Sequence, residues 1–148
     1  MNKTYEQPTV QPYLFFEGRC EEALEFYHRA LGAAVLFVMR YKDCPEPPQP
    51  GACPALPGDK VMHASFRIGR TTLMASDGQC AGKAAMRGFS LSLTVSTGEE
   101  AGRLFSALAD GGQVQMPLAK TFFSPRFGMV TDRFGVSWMV IVAVEEKH

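Results

Sequence analysis

The sequence predicts an α+β fold built from two copies of a βαβββ unit, and three observations carry that prediction. The elements run β α β β β twice, on either side of a short linker. Shifting the chain by 78 positions lays Glu21-Glu22-Ala23 on Glu99-Glu100-Ala101, Phe26-Tyr27 on Leu104-Phe105, and Tyr13 and Phe15 on Leu91 and Leu93. Gly69 meets Gly135 when the shift falls to 66, and agreement in both residues and element order is the mark of an internal repeat. The chain also closes on a hairpin: apolar runs 127–130 and 136–142 flank Thr131-Asp132-Arg133-Phe134-Gly135. There Asp can bond the turn backbone and Gly supplies a positive φ.

Each element has its own signal. Residues 10–16 (VQPYLFF) read as a short buried strand ended by Glu17-Gly18. Residues 21–31 place Ala23, Leu24, Phe26, Tyr27, Ala30 and Leu31 on one face of an amphipathic helix, with Gly32 positioned to stop it. Residues 35–41 follow as a strand. Six prolines and two glycines then rule out regular structure over 42–60, giving a long loop that either borders a site or is a tolerated surface insertion. Residues 61–68, the Gly69-Arg70 turn and 71–76 make a hairpin. After a glycine-containing linker, residues 89–95 alternate strictly between Phe89, Leu91, Leu93, Val95 and Ser90, Ser92, Thr94. Residues 99–110 repeat the amphipathic helix with Ala101, Leu104, Phe105 and Leu108, and residues 114–118 form the strand before the closing hairpin.

The chain has 148 residues, 46% of them apolar, which is one domain's worth of chain with enough apolar material for a core. We read a single domain, 1–148, with modules at about 9–77 and 88–144 joined by a linker over 78–87. Fifteen basic residues balance fifteen acidic ones, so nothing marks a nucleic-acid footprint or an attraction to anionic membranes. The N-terminal stretch lacks an apolar core and no apolar run reaches membrane-spanning length, so a cytoplasmic protein is expected. Cys20, Cys44, Cys53 and Cys80 form no CxxC pair and have no histidines at zinc spacing, so free thiols are expected. Cys44 and Cys53, in the Pro/Gly-rich loop, are the ones expected to react first with thiol reagents.

The stretches QPYLFFEGRCEEALEFYHRALGA, MHASFRIGRTTLMASDG and FGMVTDRFGVSWMV resemble the PhnB-like branch of the vicinal oxygen chelate superfamily, which includes glyoxalase I, extradiol dioxygenases and bleomycin-resistance proteins. The resemblance spans residues 10–142. It implies paired βαβββ modules forming curled mixed sheets around a concave cavity, with the helices outside, and a homodimer. Many members carry the label 3-demethylubiquinone-9 3-methyltransferase. We treat that label as inherited, because methyl transfer from S-adenosylmethionine usually needs a doubly wound sheet with a Gly-rich first βα turn.

Metal-using members of the superfamily bind one divalent ion through four side chains, one from the first and last strand of each module. The closing strand of this branch resembles Asp-x-Phe-Gly-x-x-Trp-Glu, and here it reads Asp132-Arg133-Phe134-Gly135-Val136-Ser137-Trp138-Met139, with methionine at the ligand position. The other ligand positions fall near Ser90, Pro12 and Leu73, and a one-residue slip brings in only Gln11, Met74, Phe89 or Leu91, and Val140. Such a set lacks the N/O ligands a hard or borderline cation wants. No metal and no cofactor are expected.

The same resemblance makes the concave side the ligand side. Ser90, Ser92 and Thr94 form one polar row facing it, and His63, Ser65 and Arg67 a second. His63, the one histidine inside a strand, is the candidate acid or base, against the plainer reading of a hydrogen-bonded structural group. Arg67 can hold a carboxylate or phosphate, or pair with a surface acid. Tyr41, Phe122, Arg126 and Met139 complete the candidate lining, Trp138 is assigned to the helix layer, and Asp77 to a turn. Two functions follow: binding of a small molecule without chemistry, or an isomerase, lyase or oxygenase, or the methyltransferase of the label, acting on a small oxygenated substrate. A structural dimer is the third and plainest reading.

Overall fold

The computed structural model describes residues 7–43, 58–80 and 82–144. Cys44, Cys53 and most of the proline-rich loop lie outside the described residues. The elements are β1 (Tyr13–Phe15), α1 (Cys20–Leu31), β2 (Ala34–Arg40), a 3₁₀ turn (Tyr41–Asp43), β3 (Val61–Ile68), β4 (Thr71–Ser76), β5 (Leu91–Val95), α2 (Gly98–Ala109), β6 (Gln113–Ala119), β7 (Phe127–Thr131) and β8 (Ser137–Val142). They build two four-stranded sheets of the same order, β1-β4-β3-β2 and β5-β8-β7-β6. β1 with β4 and β5 with β8 are parallel and the remaining pairs antiparallel, so both sheets are mixed, as an α+β fold requires. Two compact units result, one holding β1 to β4 and the other β5 to β8.

In each unit a helix covers one face of its sheet. α1 buries Ala23, Leu24, Phe26, Tyr27 and Ala30. Tyr27 stacks on Phe66 of β3 with ring centroids 5.9 Å apart, and its ring also meets Phe16. Gly32, at a φ of 70°, closes the helix by donating its N–H to the His28 carbonyl. α2 buries Ala101, Leu104, Phe105 and Leu108, and its first turn is capped by the Thr97 hydroxyl accepting from the Glu100 N–H. Gly128 lies beneath it, because a Cβ there would come within 2.8 Å of Phe105.

The repeat is real, but its offsets differ between elements. The helices start and end 78 residues apart, Cys20 to Gly98 and Leu31 to Ala109. The strands do not keep that offset. Tyr13 pairs with Met74 and Ser92 with Met139, both on the face away from the helix. Face-preserving correspondence is therefore 79 residues in the first strand (Tyr13 to Ser92) and 65 in the last (Met74 to Met139). Counted from the matched buried residues Phe16 and Val95, the stretch before the helix is one residue longer in the first unit (17–19) than in the second (96–97). Slipping by one residue moves a side chain to the opposite face, so Leu73, the expected counterpart of Met139, sits buried on the helix side.

Asp132 organises the closing hairpin. It is buried, its Oδ1 accepts from the Phe134 and Val136 N–H groups at 2.9 and 3.1 Å, and its Oδ2 accepts from Trp138 Nε1 at 2.9 Å. Gly135, at a φ of 90°, turns the chain between those donors. Trp138 lies buried on the helix side, as its alternation with Met139 predicts. Replacing Asp132 with Ala strands three donors in a dry interior, so Asp132→Ala is expected to lower unfolding stability by about 3 kcal/mol in urea titration, with Asp132→Asn losing less.

Candidate functional site

The face of the first sheet opposite α1 gathers aromatic rings that solvent reaches. Phe15 is 52% exposed, Phe37 46% and Tyr13 36%. Tyr13 and Phe37 flank His63, and Phe15 packs against Tyr13. The Tyr13 hydroxyl lies 2.9 Å from His63 Nδ1, and the two ring centroids are 5.6 Å apart. Phe37 lies 6.2 Å from the His63 ring and Phe15 5.0 Å from Tyr13. With the tyrosine donating, Nδ1 accepts and Nε2 carries the proton.

Register explains why these side chains share a face. Tyr13 pairs with Met74, Met74 with Ser65, and Ser65 with Phe37, so one row crosses all four strands. Met39 pairs with His63, and Phe15 with Ser76, on one side of that row. Arg67 pairs with Thr72 on the other. The expected row His63, Ser65 and Arg67 is therefore present on a single face.

The second sheet presents a different surface. Ser92 and Thr94 are exposed and pair with Met139 and Ile141 on the face away from α2. Ser90 precedes β5, and its hydroxyl is 2.7 Å from that of Ser137. Phe122 is fully exposed and packs edge-on to Phe123, whose ring meets that of Phe127 5.0 Å away. Tyr41 opens the 3₁₀ turn after β2 and donates its N–H to the Lys60 carbonyl. Arg126 is held against α2: its Nη1 donates to the Gly98 carbonyl at 2.9 Å, and its side chain passes close to Gly98 and Gly102 of α2. That is the helix side of the unit.

Tyr13, Phe15 and Phe37 are absent from the residues expected to line a site. In 10–16 the apolar run suggests a strand buried on both faces, yet only Leu14 and Phe16 are buried there. The usable signal was the alternation Tyr13, Phe15 against Leu14, Phe16.

Of the two thiols among the described residues, Cys20 is wholly buried at the start of α1 and Cys80 is half-buried. Burial first, then the carboxylates of Asp77 and Glu21, pushes the Cys20 pKa far above the ordinary thiol value, which removes Cys20 as a nucleophile.

Comparison with known proteins places this architecture in a family. A glyoxalase-related enzyme from Fulvimarina pelagi shares the fold at a TM-score of 0.59 and 19% identity, covering 92% of this chain and 88% of that one. The family model described as 3-demethylubiquinone-9 3-methyltransferase matches residues 8–141, and the chain belongs to that family. Protein YjdN of Escherichia coli (strain K12) is 38% identical over 142 residues, covering 93% of this chain and 97% of the relative. The crystal structure of protein PA1353 from Pseudomonas aeruginosa aligns with a TM-score of 0.80 at 44% identity, covering 94% of this chain and all of that one. A putative 3-demethylubiquinone-9 3-methyltransferase, PhnB protein, from Bacillus cereus aligns at 0.74 and 30% identity, covering 92% of this chain and all of that one.

The residues present do not fit the divalent ion that the sequence resemblance implies for metal-using relatives. On the first and last strand of each unit, the face away from the helix carries Tyr13 and Phe15, Thr72 and Met74, Ser92 and Thr94, and Ser137, Met139 and Ile141. None offers imidazole or carboxylate. Among the described residues, no group of three or more His, Cys, Asp or Glu side chains comes together to hold an ion. Calorimetric titration with Zn²⁺, Ni²⁺, Mn²⁺ or Fe²⁺ is expected to give no stoichiometric micromolar site.

Proposed function

We propose that the protein binds a small organic molecule on the open face of its first sheet, by stacking against Tyr13, Phe15 and Phe37 around His63, without a bound metal. The observation that carries this reading is a cluster of three solvent-exposed rings, two of them, Tyr13 and Phe37, against His63 and the third, Phe15, against Tyr13. Exposed rings forgo burial energy that a planar ligand can recover. Ser65 and Met74 supply a small, compliant floor between them.

An enzyme is the second reading, and the Tyr13–His63 hydrogen bond favours it. A tyrosine that holds Nδ1 leaves Nε2 to exchange a proton with a bound molecule. The junctions from strand to helix, Glu17-Gly18-Arg19 and Ser96-Thr97, lack a Gly-rich nucleotide turn, so methyl transfer by the usual cofactor-bound sheet draws no support from the geometry.

A ligand that raises the melting temperature is expected to bind about three- to tenfold more weakly to Phe37→Ala, the range a lost aromatic contact accounts for. Ligands whose affinity ignores Phe37→Ala and Phe15→Ala would remove this face from the binding role. Should a substrate be found, His63→Ala is expected to lower its turnover by about a hundredfold or more; turnover equal to that of the unaltered protein removes His63 from the chemistry.

A further inference from the structure

The first sheet carries a one-sided charge distribution. Its strands read YLF, AVLFVMR, VMHASFRI and TTLMAS, without a single Asp or Glu. Their ionisable cationic side chains are Arg40, His63 and Arg67. Arg40 is committed to Glu21, 2.7 Å away, and this pair holds the Glu21 carboxyl below its ordinary pKa. Arg19 and Arg133 have ion pairs as well, and Arg126 has the Gly98 carbonyl. Arg67 is exposed and makes no ion pair or hydrogen bond among the described residues.

Its position relative to the rings is set by register. Same-face positions on a strand repeat every roughly 7 Å. Arg67 therefore stands one step from Ser65, in the row of Tyr13, Met74 and Phe37, and His63 stands one step away on the other side. A guanidinium is long enough to cover one such step and presents a planar fork suited to a carboxylate.

We propose, resting on the reading of this face as the binding surface, that its ligand is an aromatic carboxylate. The ring stacks along the row of Tyr13 and Phe37, the carboxylate takes Arg67, and an oxygen at the far end of the ring meets His63. A cation with no partner among the described residues, beside exposed rings on a sheet without acids, selects an anionic planar molecule over a neutral one of the same shape. The partners of Arg67 on the neighbouring strands, Thr72 and Ala34, bring no opposing charge.

The test uses the full chain and three probes: 4-hydroxybenzoate, 4-hydroxybenzamide and acetate, titrated by ligand-observed NMR at low and high salt. The acid is expected to bind about fivefold more tightly than the amide at low salt, with the gap closing as salt is added, and acetate to bind too weakly to detect. In Arg67→Gln, whose fold is checked by thermal melting, the acid is expected to fall to the level of the amide. In Arg70→Gln, at the exposed Gly69-Arg70 turn, the advantage is expected to persist. Acid and amide binding equally, both weakened by Phe37→Ala, overturns the charge inference and leaves the surface standing. An acid advantage that survives Arg67→Gln also overturns it. Binding that ignores Phe37→Ala, or no binding of either aromatic at millimolar concentration, overturns the surface reading and the inference together.

Discussion

The buried carboxylate of Asp77 is the constraint on which the first unit depends. It is 2% exposed, its Oδ1 accepts from the Cys20 N–H at 2.7 Å, and its Oδ2 accepts from the Val61 N–H at 2.6 Å. Its own N–H donates to the Val61 carbonyl. A charged oxygen in such a place is costly unless fully bonded, so the three elements it joins have one arrangement that satisfies it. Arg19, at the start of α1, offers no side-chain cap. Asp77 supplies an acceptor for the helix's first N–H from 57 residues away in the chain, at the end of the helix where negative charge is favoured. The same contact sets where β3 begins, two residues before His63. Ring positions on the open face thus rest on a carboxylate buried on the other side of the sheet.

The second unit reaches the same strand order by a different device. Its buried carboxylate, Asp132, lies in the turn between β7 and β8 and bonds locally, to the two backbone donors that follow and to Trp138. The first unit's equivalent hairpin turns through Gly69-Arg70 alone and needs no such anchor. The connection before the hairpin differs more, twenty residues in the first unit (41–60) against seven in the second (120–126), so a single offset cannot describe the repeat.

Much of the architecture is legible in the sequence, and what escapes does so for a physical reason. Helical faces are legible because Ala23, Phe26 and Tyr27 recur as Ala101, Leu104 and Phe105 at an offset every residue obeys. The alternation from Leu91 to Val95 and the opposition of Trp138 to Met139 are legible because a strand's period is two. Register is not, since a one-residue slip leaves the pattern of a single strand intact and reverses only its partnership with the next. Arg126 shows the same limit at a site: its tie to α2 depends on Gly98 and Gly102 leaving room beside it, a tertiary fact that no local spacing displays. Tyr13 and Phe15 serve as markers of the repeat, while their exposure follows from a strand of only three residues whose other face alone is covered.

The repeat also provides a control for reading those rings. At the face-preserving offset of 79, Tyr13 corresponds to Ser92 and Phe15 to Thr94, and at 65 Met74 corresponds to Met139. Both sheets have the same strand order and the same parallel pairing beside the first strand. A serine and a threonine therefore satisfy the fold where the first unit places a tyrosine and a phenylalanine. Folding of this unit type does not require aromatic side chains at these positions, and exposing them to water gains nothing for the sheet. The methionine kept in both units is what the fold tolerates on that face; the rings are what the first unit adds, and the proposed ligand accounts for them by stacking on them.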